Sequence, residues 1–225
     1  MAVGEHVDWD PVAPPDASPL RGTSVELVAV DPAAHTEALF EAAEGEGADP
    51  ALWVYMPVGP FGSAEAMRTW LEQIASSTDP RFYVIVDRAT GKPAGVASYL
   101  RITPEHGTIE IGHIWFGSTL QRTPGATEAI YLLARHAFDE LGYRRLEWKC
   151  DSFNERSRKA ADRFGFVFEG VFRQHMVVKG RNRDTAWYAI VDRDWPTVRA
   201  AFEAWLDPSN FDEAGRQRRS LSELR

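Results

Sequence analysis

The sequence has a single cysteine, Cys150, in 225 residues. One cysteine cannot form a disulfide within the chain, and it leaves no cysteine pair or cluster for a structural zinc site. Long apolar runs are also missing, since no stretch approaches the roughly 18 residues that a membrane span requires. The opening residues, MAVGEHVDWD, are acidic, unlike the basic start of a secretory signal. We therefore expect a cytoplasmic protein that holds no metal and contacts no membrane.

Positive charge is in the minority. The chain carries 25 Lys and Arg against 33 Asp and Glu, which gives a net charge of −8 at pH 7. Because an acidic chain is repelled by phosphate backbones, a nucleic-acid partner is not expected. The content of 44% hydrophobic and 26% charged residues is typical of a globular protein. With no internal repeat and a length suited to one core, the sequence predicts a single domain.

The two ends of the chain differ from its middle. Residues 1–22 include prolines at positions 11, 14, 15 and 19, which disfavour helices and strand pairing, so this segment is predicted to be an extended arm. Residues 207–225 are polar and rich in arginine, and we expect a loose tail there. The domain itself is expected to span residues 23–206.

Within this domain the apolar pattern changes period several times. Alternation with period two, typical of strands, occurs in 24–30, 81–87, 93–102, 107–116, 144–151, 166–178 and 184–192. Helical spacing occurs in 32–43, 64–76, 124–141, 154–164 and 195–206. The pattern predicts an α+β domain (mixed α/β elements) whose sheet is mainly antiparallel.

A strand, a short loop and a helix start follow one another in IGHIWFGSTLQRTPGATEAIYLLARHAF. Such a junction directs free backbone N–H groups and the positive end of the helix dipole at one spot, which suits a pyrophosphate. The alternative is a plain structural connection, because every junction of this kind offers some of these groups. Both interpretations stay open from the pattern alone.

A second junction, WKCDSFNERSRKAADRFGFVFEGVFR, places Asn154 and Ser157 at a helix start and Gly165-Phe166 at its end. With the Ala126-Thr127-Glu128-Ala129 helix start and the closing hairpin, it resembles the GNAT superfamily of acyl-CoA-dependent N-acetyltransferases, and most closely the RimJ/RimL-like branch. The resemblance covers the chain from Val25 to about Leu206. It implies a central sheet of about seven strands with helices on both faces, and transfer of an acetyl group from acetyl-CoA to a primary amine without a metal.

The resemblance also implies which residues hold acetyl-CoA. The phosphate loop of the family falls on residues 121–126, where Pro124 replaces a glycine and offers no N–H. The pantetheine arm is expected along the strand from Ile109 to Phe116 and beside Asn154. The implied cofactor-binding residues are Gln121, Arg122, Thr123, Gly125, Ala126, Thr127, Asn154, Ile114, Trp115 and Phe116.

The implied proton donor to the departing thiolate is Ser157, whose alternative role is to cap its helix. Many relatives have a tyrosine where this chain has Ala161. The carboxylate of the branch has no counterpart here, so Glu110, His113 and His175 are the substitutes for a base. A regular strand would place His113 on the face of Ile109, Ile111 and Trp115, and Glu110 on the opposite face with Ile114.

The acceptor site of the family corresponds to the aromatic segment near Trp53, Tyr55 and Phe61, with His113 beside it. The alternative is that these aromatics form a hydrophobic cap over the sheet. The acceptor is expected to be a primary amine of a protein N-terminus, a peptide or a small aminoacyl compound, and not a polycation. We also consider a homodimer. The competing function is a non-catalytic acyl-CoA-binding module, because Pro124, Ala161 and the missing carboxylate depart from the family pattern.

Overall fold

One sheet of eight strands organises the computed structural model, which describes residues 3–225. The strands are β1 (Leu20–Arg21), β2 (Val25–Ala29), β3 (Arg81–Asp87), β4 (Lys92–Thr103), β5 (Thr108–Phe116), β6 (Arg145–Asp151), β7 (Val167–Val178) and β8 (Arg181–Val191). Their order across the sheet is β1-β2-β3-β4-β5-β6-β8-β7. The expected fold is confirmed, although the expected count of about seven strands omits β1, whose Leu20 pairs with Leu27 of β2.

The five α-helices are α1 (Pro32–Glu44), α2 (Ala64–Ala75), α3 (Pro124–Arg135), α4 (Glu155–Phe164) and α5 (Trp195–Leu206). α3 continues as a π-helical turn, His136–Glu140, and short 3-10 turns cover Pro104–His106, Pro208–Asn210 and Leu221–Leu224. The sequence predicts most of these boundaries because it carries their caps. Asp31 accepts hydrogen bonds from the N–H groups of Ala33 and Ala34 at the start of α1, and Ser63 caps α2.

Every neighbouring pair of strands is antiparallel except β5 and β6. These two parallel strands pair only from Thr108 with Arg145 to Ile111 with Trp148. Beyond that point β5 stays bonded to β4, and β6 stays bonded to β8. The two halves of the sheet therefore separate along a gap between residues 112–116 and 149–151, which we call the split.

Helices cover both faces of the sheet. One face packs against α3 and α5, and its core includes Tyr83, Ile85, Ile130, Leu133 and Phe202. The other face packs against α1 and α2, and its core includes Leu39, Leu71, Phe82, Val84 and Trp115. The neighbouring residues Tyr83 and Val84 point into different cores, as the alternation of a strand requires. The second core lies over β2–β5. Within residues 3–225, no helix packs on the same face of β6, β8 and β7, which we call the open half.

The C-terminal segment is ordered against the domain, so the expectation of a loose tail is wrong. Leu221 is 1% exposed, and the indole N–H of Trp205 donates to Gln217 at 2.8 Å. Arg225 donates to the carbonyl of Asp162 at 2.9 Å. Although residues 207–225 are mostly polar, a few apolar side chains among them pack on α5 and α4.

The predicted arm begins with residues 1–2, which lie outside the described residues, and ends in β1. Residues 3–19 between them form no helix or strand, and they lie on the domain. The hydroxyl of Tyr83 donates to the carbonyl of Asp16 at 2.8 Å, and Trp9 donates to the carbonyl of Glu105 at 3.2 Å. Among residues 3–225, no helix has both the length and the apolar character needed to cross a membrane. In the same range, no group of three or more metal-ligating side chains comes together.

Candidate active site

A β-bulge in β5 shapes one wall of the split. Gly112 is opposite Ser98 and Trp115 is opposite Val96, so two residues of β5 face one residue of β4. His113 takes up the extra length with a φ of 49°. The bulge inverts the alternation of the strand. The expected grouping of His113 and Trp115 with Ile109 and Ile111 is therefore wrong, because Trp115 packs in the core under α1 and α2 while Ile109 packs in the core under α3.

The same bulge changes which side chains lie on the same face as Glu110. Ile114 packs with the core under α3, so it does not share a face with Glu110 as a regular strand would require. His113 instead lies on the side of Glu110, where its ring is 5.1 Å from that of Phe82 and its Nδ1 is 2.8 Å from Ser98 Oγ. The bulge thus brings two of the candidate bases to one face.

Burial sets the protonation of His113. Desolvation, with smaller contributions from the charges of Arg101 and Arg183, lowers its pKa from 6.5 to about 4. The imidazole is therefore neutral at neutral pH. It can accept or donate a hydrogen bond beside the split, but a group with this pKa is a weak base.

Glu110 lies in a buried network of charges. Its Oε2 is 2.8 Å from the Arg101 guanidinium and 2.9 Å from Nζ of Lys149, and Lys149 also contacts Glu147 at 2.7 Å. The side chains of Glu110 and Lys149 are each 4% exposed. Both contacts of Glu110 use Oε2, which leaves Oε1 able to accept another hydrogen bond.

His175 reaches the same face from β7. Its Nδ1 is 2.9 Å from Oγ1 of the buried Thr185, and its ring lies 6.0 Å from that of Trp187. Trp187 in turn lies under the Lys149 ammonium, 3.8 Å from Nζ to the ring centroid. Desolvation and then the charge of Arg101 lower the pKa of His175. His175 therefore belongs to the same group of polar side chains as Glu110.

Asn154 and Ser157 hold the start of α4 at the far wall of the split. Asn154 caps the helix, because its Oδ1 accepts from the N–H of Ser157 at 3.1 Å. The hydroxyl of Ser157 is not a cap; it accepts from the indole N–H of Trp148 at 3.0 Å and keeps its own proton to donate. Cys150 is buried beside them, and burial raises the pKa of its thiol, as suits a small core residue.

The loop before α3 and the first turn of α3 leave backbone donors free. Gln121 is held by its side-chain bond to the carbonyl of Phe116 at 2.9 Å, and Thr123 caps α3. Pro124 takes the first helical position, where its missing N–H costs no helical hydrogen bond. The N–H groups of Arg122, whose φ is 61°, and of Gly125 donate to no group of residues 3–225. The exposed Arg122 side chain adds a positive charge, so this loop fits a phosphate group.

Other residues expected to hold the cofactor have structural partners. A Cβ at Gly125 would come within 3.0 Å of Val25 and 3.1 Å of Leu120, so this glycine also permits close packing of α3 on β2. The hydroxyl of Thr127 accepts from Arg163 at 3.0 Å. The N–H of Ala126 lies 3.4 Å from the hydroxyl of the capping residue.

Glu128 is a structural residue that the sequence reasoning missed. Its carboxylate accepts from the backbone N–H groups of Thr23, Ser24 and Val25 at 2.6–2.9 Å, and so ties the start of β2 to α3. A carboxylate inside a helical stretch that is otherwise apolar was the available signal.

The aromatic segment divides into core and rim. Trp53 is 4% exposed and packs on Phe61 and Trp115, with ring centroids 5.3 Å and 5.4 Å away. These three side chains form the hydrophobic cap that was the alternative interpretation. Tyr55 is exposed, and its hydroxyl donates to the carbonyl of Phe153 next to α4. Only Tyr55 of this segment reaches the rim of the split.

The tip of the β7–β8 hairpin fastens this aromatic segment. The Lys179 ammonium donates to the carbonyls of Trp53, Val58 and Gly59 at 3.1, 3.2 and 2.8 Å. The sequence predicts only that Lys179 lies in a turn, so its pattern does not predict this contact. The hairpin therefore closes over the split from the β8 side.

Comparisons with known proteins agree with this geometry. A family model described as "Acetyltransferase (GNAT) domain" matches residues 25–167. A crystal structure of a GCN5-related N-acetyltransferase from Brucella melitensis is 44% identical, with 96% of this chain and 98% of that chain covered and a TM-score of 0.94. The chain belongs to the GNAT acetyltransferase family, whose enzymes use acetyl-CoA.

More distant relatives place the chain within the family. It is 33% identical over 99 residues to the ribosomal-protein-serine acetyltransferase of Escherichia coli, which covers 44% of this chain and 55% of that protein. The resemblance to the RimJ/RimL-like branch is thereby confirmed. A crystal structure of the microcin C7 self-immunity acetyltransferase, solved with acetyl-CoA and AMP, shares the fold with a TM-score of 0.66. Its sequence is 24% identical, and the match covers 76% of this chain and 93% of that chain.

Proposed function

We propose that the chain transfers an acetyl group from acetyl-CoA to a primary amine by direct attack in a ternary complex. The observation that carries this proposal is the split between β5 and β6. One wall presents Asn154 and Ser157, and the adjoining face presents Glu110 and His175. A donor thioester and an acceptor amine entering from the two faces would meet between these groups.

The residues present fit acetyl-CoA, which would supply the activated thioester carbonyl. The free N–H groups of Arg122 and Gly125 suit its pyrophosphate, and the amide of Asn154 suits the pantetheine arm. Beyond Ile111 the β5 backbone has no hydrogen bond to β6, so those backbone groups of residues 114–116 that point away from β4 can bind a ligand in the split. A backbone N–H there would stabilise the oxyanion of the attacked carbonyl.

Proton transfer needs little help on the acceptor side. An α-amine has a pKa of about 7.7–8.0, so a weak base or water suffices to hold it neutral. Oε1 of Glu110 and the imidazole of His175 are the groups placed to accept its proton. On the donor side, the Trp148 indole fixes the oxygen of Ser157, so the hydroxyl proton points away from the indole and would be free to protonate the departing thiolate.

Turnover with a panel of amines tests the proposal. Protein N-terminal peptides, aminoacyl amides and a polyamine are incubated with acetyl-CoA, thiol release is followed, and the acetylated amine is identified by mass spectrometry. We expect acetylation of a compact primary amine at a rate insensitive to salt. A polyamine preference that collapses with added salt would contradict the assignment of the acceptor site.

Calorimetry with acetyl-CoA separates the enzyme from the non-catalytic binding module. Binding with turnover supports the enzyme, and binding without turnover on any amine of the panel supports the module. No binding at millimolar acetyl-CoA would contradict both.

A further inference from the structure

Arg183 is a cation without a counter-ion in the open half of the sheet. Three other cations of this region, Arg101, Arg145 and Lys149, each pair with a glutamate. Arg183 is half-buried, donates only through Nε to Oγ1 of Thr185 at 3.2 Å, and forms no ion pair with a carboxylate of residues 3–225. The terminal N–H groups of its guanidinium are therefore free for a ligand.

This cation stands beside the split. Thr185 pairs with Asp151 at the end of β6, beyond the point where β6 leaves β5. The hydroxyl of Thr185 contacts both Arg183 and His175, so the three side chains form one hydrogen-bonded row. A group bound by the guanidinium would lie next to the imidazole.

A second cation acts on the same space. The charges of Arg101 and Arg183 both add to the desolvation that lowers the pKa of His113 and of His175. The whole chain carries a net charge of −8, yet the guanidinium of Arg183 places a positive charge with no ion pair in residues 3–225 beside His175, where the Arg101 charge is paired with Glu110. Such a field attracts an anion and repels a polycation.

We propose that Arg183 binds an anionic group, a carboxylate or a phosphate, that the acceptor carries a few bonds from its amine. This inference rests on the proposed function, because it names the acceptor class of the same site. Because Nε of Arg183 donates to Thr185, the edge formed by its two terminal nitrogens stays free, and this edge matches a carboxylate or phosphate in a bidentate arrangement. The anion holds the acceptor by one end, and the amine at its other end faces the split.

The test compares acceptors that differ only in the anion. L-Phenylalanine is compared with L-phenylalaninamide, L-leucine with L-leucinamide, and O-phosphoethanolamine with ethanolamine. The measured quantity is the ratio of kcat/KM within each pair, for the wild type, for Arg183→Gln and for Arg183→Lys. Arg173→Gln is the matched control, because Arg173 is an exposed arginine of the same hairpin whose charge acts on Asp184.

We expect Arg183→Gln to lower the ratio about tenfold to a hundredfold, as for loss of a hydrogen bond to a charged group. Arg183→Lys should restore part of the ratio, and Arg173→Gln should leave it unchanged. A loss confined to the amino-acid pairs identifies a carboxylate, and a loss confined to the phosphate pair identifies a phosphate. A ratio that Arg183→Gln leaves unchanged in every pair overturns the inference while the proposed function stands.

If the wild type acetylates none of these amines, a binding measurement decides the inference separately from turnover. Sodium benzoate is titrated into the protein, and the imidazole resonances of His175 are followed by NMR. A shift in the wild type that is absent in Arg183→Gln supports the anion site. No shift in the wild type overturns it.

Discussion

The same face of the sheet has opposite surroundings in its two halves. Over β2–β5 it is covered by α1, α2 and the aromatic segment, where Trp53, Phe82 and Trp115 pack together. Over β6, β8 and β7 it carries Lys149, which binds Glu110 of the neighbouring β5, and no helix of residues 3–225 covers it. One half uses its face for packing, and the other leaves its face available for a ligand.

The comparison shows that aromatic content alone does not mark a binding site. The aromatic residues singled out by the sequence mostly lie in the covered half and are buried. The open half was marked instead by charged residues within strands, at positions where alternation would place solvated side chains. Lys149 is the clearest case, since it is 4% exposed although it lies in an alternating strand.

The largest expected effect on stability comes from a substitution in the half of the face that α1 and α2 cover, which we call the covered half. Trp115→Ala should lower the free energy of unfolding by about 3–5 kcal/mol, because it leaves a large cavity among α1, α2 and β5. Val177→Ala, at a position 78% exposed on the edge of the open half, is the control and should change it by less than about 0.5 kcal/mol. Urea denaturation measures both. Equal losses would mean that the two halves are packed alike.

Disrupting the charge network around Lys149 should lower the free energy of unfolding nearly as much as Trp115→Ala does. Lys149→Met removes the ammonium that Glu110 and Glu147 share and leaves each with one guanidinium partner. It should destabilise the fold by about 3 kcal/mol, since two buried carboxylates lose a charged partner. Lys159→Met, on an exposed face of α4, should have little effect. Adding Glu110→Gln to Lys149→Met should recover part of the loss. Strict additivity in urea denaturation would contradict a coupled network.

The pH dependence of stability tests the burial of His113. Its pKa is about 4 in the folded protein and 6.5 when exposed, so between these values the unfolded chain binds a proton that the folded chain does not. Stability should be full above pH 6.5 and fall by up to about 3 kcal/mol as the pH drops to 4. His113→Gln should flatten this part of the curve, whereas His106→Gln, at an exposed position, should not. An unchanged slope in His113→Gln would place the imidazole in water.

The smallest expected effect separates a proton donor from a cap. Ser157→Ala should lower kcat about tenfold, equivalent to about 1.4 kcal/mol, while the affinity for acetyl-CoA stays the same, because the donated proton matters only as thiolate charge develops. Ser63→Ala removes a true helix cap and should cost about 1 kcal/mol of stability without changing kcat. An unchanged kcat in Ser157→Ala would leave this serine as the acceptor of the Trp148 hydrogen bond only.

The sequence predicts the fold well because its signals are local. Caps such as Asp31 and Ser63, the terminating Gly165 and the changes of apolar period lie within a few residues of the elements that they define. The short strand β1 was not predicted, because two residues are too few to show an apolar period. The order of the C-terminal tail was not predicted, because its packing on the domain depends on a few apolar residues, such as Leu221, among many polar ones.

The site was predicted only in part because its geometry depends on contacts across the sheet. The place of Asn154 and Ser157 at a helix start is local and was predicted. Asn154 caps the helix as one alternative had it, whereas the hydroxyl of Ser157 does not. The bulge at His113 depends on the register against β4, and a strict alternation could not show it. Lys179 acts through contacts with a distant segment, and no spacing in the sequence relates it to those partners. Arg183 contacts Thr185 on its own strand, but its proximity to His175 depends on how β7 pairs with β8.

The most direct test of the central claim is a crystal structure of the protein with acetyl-CoA. We expect the thioester of acetyl-CoA in the split, with its sulfur within hydrogen-bonding reach of the Ser157 hydroxyl, and the pyrophosphate of acetyl-CoA at the N–H groups of Arg122 and Gly125. Acetyl-CoA bound elsewhere, with β5 and β6 separated around an empty gap, would contradict the account.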